Sequence, residues 1–555
     1  MQYSNHVDNF NRAIAFNFNQ KDVTRFAGLA SLMNRARRSG VPAALAAVID
    51  KYTPRNPIAF VYDTEDLINQ ILASLAVGLP DLNDAEMHSL DRSFISALRK
   101  TKVASAPTLS RFFARFEERC KLEQMIKLAK DKAVLPELKK TDARRITSPA
   151  IMDLIDFTQN ESIRILKKRG DKDCIIVDVD STPVALHGDQ DEAYFDGHYG
   201  YIAYLPIFVA VNGVPCFVQN APGAANGAAL CLIHIRRVLQ KLRREFPGAR
   251  ILVRGDTGYN NAELIEIIEE EGVSYVFGYN VQGKTMKKGL FAHIAEMYAA
   301  APGSSISMSQ EILAKLPATG LFAEVNPPKR RRKLTSTTAG GKARCCGFYH
   351  NYQGKKWKKP RTVAYRLQYS SDYEDVDARF IQTNLTTDDV LDIAQGRGLR
   401  KYRVLPSESF EQDKVKAKAS VELYEAIFCS RGEDERLNCE WKAACYAARC
   451  SLKGFFANSL RMTISLVVMQ ILEEFRQDLL RSERPHKALT KRHGRNRNAT
   501  RAHCAEKRRY GPTIRLIRKF LICVPAILRE LKTRLVLSLP PMPAIWHHRF
   551  GILME

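Results

Sequence analysis

Apolar residues follow a helical period over roughly the first 170 residues. They recur three and four positions apart, as in the run from Leu67 to Leu75, which Gly78 and Pro80 end. This spacing places the apolar side chains on one face of a helix, and the glycine and proline are typical helix terminators. We therefore predict an N-terminal α-helical domain over residues 1–170.

At Cys174 the pattern changes to unbroken runs of β-branched and aromatic residues. CIIVDVD and YIAYLPIFVAVNGVPCFVQN predict three strands, and Asn212 with Gly213 suits the tight turn of a β-hairpin. A helical stretch from Ala224 to Phe246, a strand ARILVRGD, a helix and a strand VSYVFGYN follow. Three strands, helix, strand, helix, strand is the order of a ribonuclease-H-like core. The predicted fold is α/β, with a mixed five-stranded sheet whose strands lie in residues 171–280, the first part of the core.

Beyond residue 280 the pattern breaks and later resumes. Residues 281–420 contain alternating segments such as CGFYHNYQGKKWKKPRTVAYRLQYSS and predict an inserted β-rich domain. Residues 421–478 return to helical spacing and predict a second part of the catalytic core. Residues 479–555 predict a basic C-terminal helical region.

The charge balance indicates an anionic partner. The 555 residues carry a formal net charge of +25, with 45% hydrophobic and 26% charged residues. Such a composition is typical of a packed protein, and the basic excess favours phosphate backbones or anionic membranes. No apolar run reaches the length of a spanning helix and the N-terminus lacks a signal-peptide pattern, so we expect no membrane partner and a cytoplasmic location. The twelve cysteines form no CxxC pair.

Three acids lie in contexts that suit phosphodiester chemistry: Asp180 on the first strand, Asp256 at the end of the fourth, and Glu435 on a later helix. Open α/β sheets place their chemistry at the carboxyl ends of strands, so Asp180 and Asp256 can meet at one edge. Two divalent metals about 3.5–4 Å apart need shared carboxylates with positions left open for DNA oxygens. The three acids are therefore the candidate catalytic residues and metal ligands.

Two of these assignments have alternatives in the sequence. Asp178 is two residues from Asp180, on the same strand face, and is an alternative first acid. Asp256 is followed by Thr257, Gly258 and Tyr259, so it is also suited to capping a turn.

The helix that carries Glu435 predicts further phosphate contacts. On a regular helix Phe428, Arg431, Glu435 and Lys442 share one stripe. Arg431 and Lys442 are then candidates for binding the phosphates beside the scissile bond. A surface salt bridge between Arg431 and Glu435 is the alternative for this spacing.

Other basic residues are candidates for DNA binding. Arg111 and Arg115 lie four residues apart on the helix after Ser105 and Pro107, which is either a DNA-reading helix or an amphipathic helix with a solvated face. A second group is a basic run in the insertion: Lys329, Arg330, Arg331, Arg332 and Lys333. The stretch from Arg481 to Lys519 is also rich in Arg and Lys, which favours DNA contact.

The chain resembles the branch of DDE transposases from bacterial insertion sequences that carries a YREK signature and a β-rich insertion in a ribonuclease-H-like core. The signature reads Phe428, Arg431, Glu435 and Lys442, with phenylalanine where the family usually has tyrosine. The resemblance extends through VDSTPVALHGDQ, RGDTGYNNAEL, FIQTNL and ASAPTLSRF. In that family the first acid precedes a pair of small hydroxyl residues, which favours Asp180 over Asp178.

The resemblance implies a transposase that binds the inverted ends of its insertion sequence, cleaves double-stranded DNA and joins the 3′-hydroxyl to a target. It also implies two Mg²⁺ or Mn²⁺ ions, a homodimer bridging two DNA ends, and a location on the bacterial nucleoid in the cytoplasm. Trp357, in KKWKKPR, is then a candidate for stacking on an unpaired base, and a tryptophan buried in its own domain is the alternative. Two other functions stay open: a structure-selective nuclease and a catalytically decayed DNA-binding derivative.

Overall fold

The fold is built around one large mixed sheet with helices on both faces. The structure is a computed structural model that describes residues 23–55, 60–139, 142–280, 320–324, 342–352, 357–370, 373–396, 403–404, 419–420, 422–482, 512–530, 535–539, 542 and 544–554. The basic run Lys329–Lys333 and most of the stretch from Arg481 to Lys519 lie outside the described residues.

The described α-helices are α1 Leu29–Arg38, α2 Val41–Asp50, α3 Thr64–Val77, α4 Ala85–Leu90, α5 Arg92–Ala97, α6 Ala106–Lys130, α7 Pro149–Arg169, α8 Gly227–Glu245, α9 Ala262–Glu270, α10 Thr387–Gly396, α11 Gly432–Cys439, α12 Phe455–Ser482, α13 Ile514–Ile517 and α14 Ala544–Met554. The described strands are β1 Val23–Thr24, β2 Cys174–Ser181, β3 Val184–Ala185, β4 Tyr194–Asp196, β5 Tyr201–Tyr204, β6 Ile207–Val211, β7 Val214–Gln219, β8 Arg250–Gly255, β9 Ser274–Tyr279, β10 Gly320–Glu324, β11 Lys342–Tyr352, β12 Arg361–Ser370, β13 Tyr373–Thr383, β14 Arg403–Val404, β15 Ala526–Glu530 and β16 Leu535–Ser538.

The core strands have the order predicted for a ribonuclease-H-like fold. They run β7-β6-β2-β8-β9 across the sheet; β2, β8 and β9 are parallel, and β6 and β7 are antiparallel to their neighbours. In sequence order of the core this is 3-2-1-4-5. The predicted mixed α/β fold is confirmed.

The hairpin between β6 and β7 forms because its turn residues accept left-handed backbone angles. Asn212 has φ 47° and Gly213 has φ 76°, the pair of positive angles that a two-residue hairpin turn requires. The Asn212 side chain also accepts a hydrogen bond from the Ile176 amide at 2.8 Å and donates to the Cys174 carbonyl at 2.9 Å. The turn is thus fixed to the first core strand.

The β-rich insertion continues the core sheet. Strand β13 pairs antiparallel with β9, and β12, β11, β10 and β14 follow, so the sheet has ten described strands where the sequence predicted five. On the face that carries Ile176, a buried apolar cluster joins β2 and β8 to the insertion and to Leu423 and Ile427 of the segment that precedes Glu435. The insertion therefore packs as an extension of the core.

The terminal regions pack against each other and against the sheet. Helix α12 contacts β7 and helices α3, α6 and α7. Strand β1 pairs with β15, and the Arg518 guanidinium donates to the Ala76 carbonyl at 2.8 Å. The C-terminal region, predicted to be helical, also contains the strands β15 and β16, because their backbone groups pair with each other and with β1.

One helix within the described residues, Phe455–Arg481, is long and apolar enough to cross a membrane by length and composition, although polar residues interrupt it and no unbroken apolar run has that length. Its apolar part is entirely buried inside the protein. Gln470 on this helix donates to the carbonyls of Thr158 and Pro215, at 2.8 and 3.0 Å. The helix is therefore a core element of the fold.

Candidate active site

Asp180 lies near the carboxyl end of β2, between the antiparallel neighbour β6 and the parallel neighbour β8. Its Oδ1 accepts a hydrogen bond from the Ser181 amide at 3.0 Å, and its Oδ2 accepts one from Asn438 Nδ2 at 2.9 Å. Asn438 belongs to α11, the helix that also carries Glu435. The first acid is therefore bonded directly to the helix of the third.

Asp178 is occupied by a buried ion pair. Its two carboxylate oxygens accept hydrogen bonds from Arg254 Nε at 2.6 Å and Nη2 at 2.7 Å, and both side chains are at most 3% exposed. Arg254 Nη1 in turn donates to the Ile427 carbonyl at 2.6 Å and to Ser430 Oγ at 2.5 Å. Asp178 thus helps to hold the segment before Glu435 against the sheet, and its oxygens are engaged.

Asp256 directly follows β8 and caps the short turn Thr257–Tyr259. Its Oδ1 accepts a hydrogen bond from the Gly258 amide at 2.8 Å. The capping alternative raised by the sequence is therefore part of the structure, and it fixes one carboxylate oxygen. Tyr259 is buried, and its hydroxyl is hydrogen-bonded to Ser181 Oγ. This bond ties the turn after Asp256 to the residue that follows Asp180.

Glu435 lies exposed on α11, within a helical segment that is not a regular α-helix. Residues Glu422–Phe428 and Glu440–Ala444 are π-helical, and Cys429–Arg431 is a 3₁₀ turn. The single regular stripe predicted for Phe428, Arg431, Glu435 and Lys442 is therefore wrong in its geometry, because wider and tighter turns interrupt the spacing. Phe428 packs on Tyr424, with ring centroids 6.0 Å apart.

The charges of the three acids act on one another. Burial, which is the largest cause, acts together with the charges of Asp256 and Glu435 and against the Arg431 guanidinium, and the net effect raises the pKa of Asp180 to about 6. Strand pairing sets β2 beside β8, after which Asp256 follows, and the Asn438–Asp180 bond sets the helix of Glu435 beside the end of β2. The three acids are therefore carried by elements that meet at one edge of the sheet.

Two cations lie beside Asp180. Arg431 Nη1 is 3.7 Å from Asp180 Oδ1, so in the described part of the chain its ion partner is Asp180 and not Glu435. Lys442 Nζ donates to the Pro183 carbonyl at 3.4 Å. Burial lowers the pKa of Lys442, and the nearby Cys439 and Asp180 partly oppose that shift. Both cations are therefore placed to meet a phosphate that approaches the acids.

The donor set suits a hard divalent cation. Its candidate ligands are carboxylate oxygens, which Mg²⁺ and Mn²⁺ prefer, and a bound cation would offset the burial and the neighbouring charges that raise the pKa of Asp180. No group of three or more His, Cys, Asp or Glu side chains within the described ranges is close enough to hold a metal. Within the described residues the carboxylates are thus not closed into a coordination sphere.

The predicted DNA contacts have different surroundings. Arg111 is exposed, and its Nη2 donates a hydrogen bond to Thr108 Oγ1 at 3.4 Å. Arg115 donates to the Pro54 carbonyl at 3.3 Å and stacks on the Phe60 ring, so it already packs within the helical region. Both stay predictions as DNA contacts.

Trp357 is 8% exposed and packs against Tyr279 and Arg361, with ring centroids 5.1 Å apart in the tyrosine pair. The structure therefore agrees with the alternative interpretation, in which Trp357 is a tryptophan buried in its own domain. A role in base stacking requires it to leave this packing, and that role stays a prediction.

Sequence reasoning missed Arg254, Asn438 and Tyr259. Asn438 lies three residues after Glu435, the spacing that places two side chains on one helix face, so a search for polar neighbours of Glu435 would have found it. Arg254 and Tyr259 flank Asp256 in RGDTGY, but their partners on β2 are set by strand pairing, which no local signal gives.

The strand order and the acids at the carboxyl edge define a ribonuclease-H-like protein with a candidate acidic active site. A family model described as "Transposase DDE domain group 1" matches residues 7–492. The chain belongs to this family of DDE transposase domains. Divalent metal ions are the usual cofactors of the family.

Among solved structures, the chain is similar to a piggyBac transposase synaptic complex with hairpin DNA, determined by cryo-EM. The identity is 12%, the match covers 86% of this chain and 89% of that chain, and the TM-score is 0.34, a level that supports no functional argument. The comparison with curated proteins finds no match.

Proposed function

We propose that this protein is a DNA transposase that binds the inverted ends of a bacterial insertion sequence, cleaves the DNA and joins the freed 3′-hydroxyl to target DNA. The observation that carries the proposal is the bond from Asn438, on the helix of Glu435, to Asp180 at the end of β2, beside the strand that Asp256 follows in a ribonuclease-H-like sheet. The family supports the same reading, because its members share the DDE domain.

Asp180, Asp256 and Glu435 would hold two divalent ions, Mg²⁺ or Mn²⁺, as the cofactors. When bound, such ions polarise a phosphate oxygen and lower the pKa of an attacking water or hydroxyl. The free oxygens support this assignment: Asp256 uses one oxygen in its turn, and Glu435 is exposed. Asn438 and the Ser181 amide fix the orientation of the Asp180 carboxylate.

Arg431 and Lys442 would bind the phosphate that reacts. Arg431 Nη1 lies 3.7 Å from Asp180 Oδ1. A phosphate bound next to the Asp180 carboxylate would therefore also contact the Arg431 guanidinium. A guanidinium offers a planar fork to two phosphate oxygens, and an ammonium offers a compact charge. Their part in the reaction is to offset the negative charge that grows on the phosphate in the transition state.

The partners in this proposal are double-stranded DNA at the element ends and at the target. The net charge of +25 supports a phosphate-rich partner. A homodimer that bridges two ends, the YREK branch, and a location on the nucleoid in the bacterial cytoplasm belong to the same proposal.

The test uses the full chain, Mg²⁺, a linear DNA carrying the sequences that flank its coding region, and a target plasmid. Joined products that depend on Mg²⁺ and disappear in EDTA are expected. Cleavage without joining would identify a structure-selective nuclease. Binding of the flanking DNA without cleavage would identify a decayed derivative, although the presence of all three acids argues against it.

A further inference from the structure

A small three-stranded sheet, β3-β5-β4, begins beside the candidate active site. Strand β3 starts at Val184, four residues after Asp180. The last strand of this sheet along the chain, β5, ends at Tyr204. The chain then enters β6, where Phe208 pairs directly with Asp180. Both chain connections of this sheet therefore lead to the strand ends that surround the first acid.

The hairpin between β4 and β5 has a well-defined turn. Asp196 is buried, and its Oδ1 accepts hydrogen bonds from the His198 amide at 2.8 Å and the Tyr199 amide at 3.2 Å. Gly200 has φ 78°, a left-handed angle that glycine adopts at low cost. At the base of the hairpin, the Tyr204 hydroxyl donates to the Asp191 carbonyl at 2.6 Å. These contacts fix the direction in which the turn residues point.

The hairpin exposes four large apolar side chains within eight residues: Phe195 at 62%, Tyr199 at 42%, Tyr201 at 37% and Ile202 at 48%. Strand pairing divides them between two faces. Phe195 is opposite Ile202, whereas Tyr201 is opposite Asp196 on the other face. Tyr199 lies beside Tyr201, with ring centroids 6.1 Å apart and planes at 32°. Tyr199 and Tyr201 thus form one exposed tyrosine pair.

The tyrosine pair belongs to a hairpin whose chain connections lead to the strand ends around Asp180. Partial burial is the largest cause that raises the pKa of Tyr199, and the charge of Asp180 adds to it, which agrees with this placement. The His198 ring meets the Tyr199 ring edge to face, with centroids 4.7 Å apart. A DNA phosphate at the acids would bring its neighbouring nucleotides to these rings.

We propose that Tyr199 and Tyr201 form a nucleobase-stacking surface that holds unpaired bases next to the reacting phosphate. The inference rests on the proposed DNA chemistry of the same edge. Nucleobases are the occupant that this surface fits, since flat tyrosine rings offer stacking area and a hydroxyl at a wet surface, and stacking tolerates any base sequence. The bases would be those of single-stranded DNA, because paired bases in a duplex have their faces covered by their neighbours.

The experiment measures the binding of the full chain to a fluorescein-labelled 30-nucleotide oligo-dT in EDTA, so that no cleavage occurs. The double variant Tyr199→Ala/Tyr201→Ala should weaken binding by about 5- to 100-fold, since one base stack contributes about 1–3 kcal/mol. The slope of affinity against salt concentration should not change, because no phosphate contact is removed. Tyr199→Phe should keep the wild-type affinity, because it keeps the ring.

Phe195→Ala is the matched control on the opposite face of the same hairpin, and it should bind as the wild type does. Unchanged binding by the double tyrosine variant would overturn the inference, as would an equal loss in Phe195→Ala, which would indicate a general effect of the hairpin. A wild type that binds neither oligo-dT nor duplex DNA would instead overturn the proposed function, and this inference with it.

Discussion

Arg254 and Asp178 form a fully buried, bidentate ion pair between two parallel core strands, with N–O distances of 2.6 and 2.7 Å. The same guanidinium binds the Ile427 carbonyl and Ser430 Oγ at the start of the segment that carries Glu435. Asp178 and Asp180 are two residues apart on one strand, yet they have different roles in this arrangement. Asp178 is bound to Arg254 within the framework, whereas Asp180 is bound to Asn438 on the helix that carries Glu435.

The first prediction concerns the stability of this pair. Asp178→Asn leaves the buried Arg254 charge without its counterion, which should cost about 3–5 kcal/mol of unfolding free energy. Urea denaturation followed by circular dichroism measures the effect. Glu270→Gln is the control, because the Arg236–Glu270 pair is exposed and such pairs contribute at most about 1 kcal/mol. Equal and small effects in both variants would contradict the framework role.

The second prediction concerns Asp180. Its pKa is raised to about 6 by burial first and by Asp256 and Glu435 next, against about 3.9 in an unfolded chain. The folded state therefore binds this proton more tightly, and the charged carboxylate destabilises the fold above pH 6. The penalty disappears as the pH falls from 6 to 4.

Asp180→Asn removes that penalty. In EDTA at pH 7.5 the variant should be more stable than the wild type by about 1–3 kcal/mol, and this difference should shrink steadily as the pH is lowered toward 4. The side chain of Asn438 can turn to offer its Oδ1, which has no hydrogen-bond partner among the described residues. Mg²⁺ should raise the melting temperature of the wild type more than that of the variant. A variant that is less stable at pH 7.5 would contradict this account.

The third prediction concerns Arg431, whose charge opposes the rise in the pKa of Asp180. Arg431→Gln should therefore raise that pKa further and move the acid limb of the pH–rate profile of DNA cleavage to higher pH. Arg449→Gln is the control, since Arg449 pairs with the distant Asp81 at 2.7 Å. A lower rate with an unshifted profile would show that Arg431 does not act on Asp180.

The fourth prediction separates the two interpretations of Trp357. In the structure this ring is buried against Tyr279 and Arg361, so Trp357→Ala should lower the unfolding free energy by about 3–5 kcal/mol. Affinity for oligo-dT in EDTA should stay at the wild-type value. A variant that keeps its stability and loses affinity would instead support base stacking by Trp357.

The parts of the fold that were predictable from the sequence have local causes. Asn212 and Gly213 give a two-residue turn because their backbones accept positive φ, and this turn fixes β6 beside β7. The alternation of helical segments with apolar runs then predicted the order of strands and helices along the core. The continuation of the sheet into the insertion was not predictable, because it depends on the pairing of β13 with β9 across about a hundred residues.

The candidate site was predictable in its acids and not in its geometry. Asp178 and Asp180 lie on the same face of β2. Their surroundings differ because of Arg254, which lies opposite Asp178 only once β2 and β8 pair. The π-helical and 3₁₀ turns around Glu435 could not be predicted from the sequence pattern either. A spacing argument assumes 3.6 residues per turn, and Glu422–Phe428 and Glu440–Ala444 depart from it.

If the three acids act together on DNA, Mg²⁺-dependent cleavage of the flanking DNA must depend on Glu435, and the cleavage rate of Glu435→Gln measures this dependence. We expect the rate to fall by at least about a hundredfold, since even residues that only support metal ligands often cost 10- to 100-fold when replaced. Asp189→Asn, which changes an exposed loop acid close in sequence to Asp180, is the control and should cleave at the wild-type rate. Undiminished cleavage by Glu435→Gln would contradict the account.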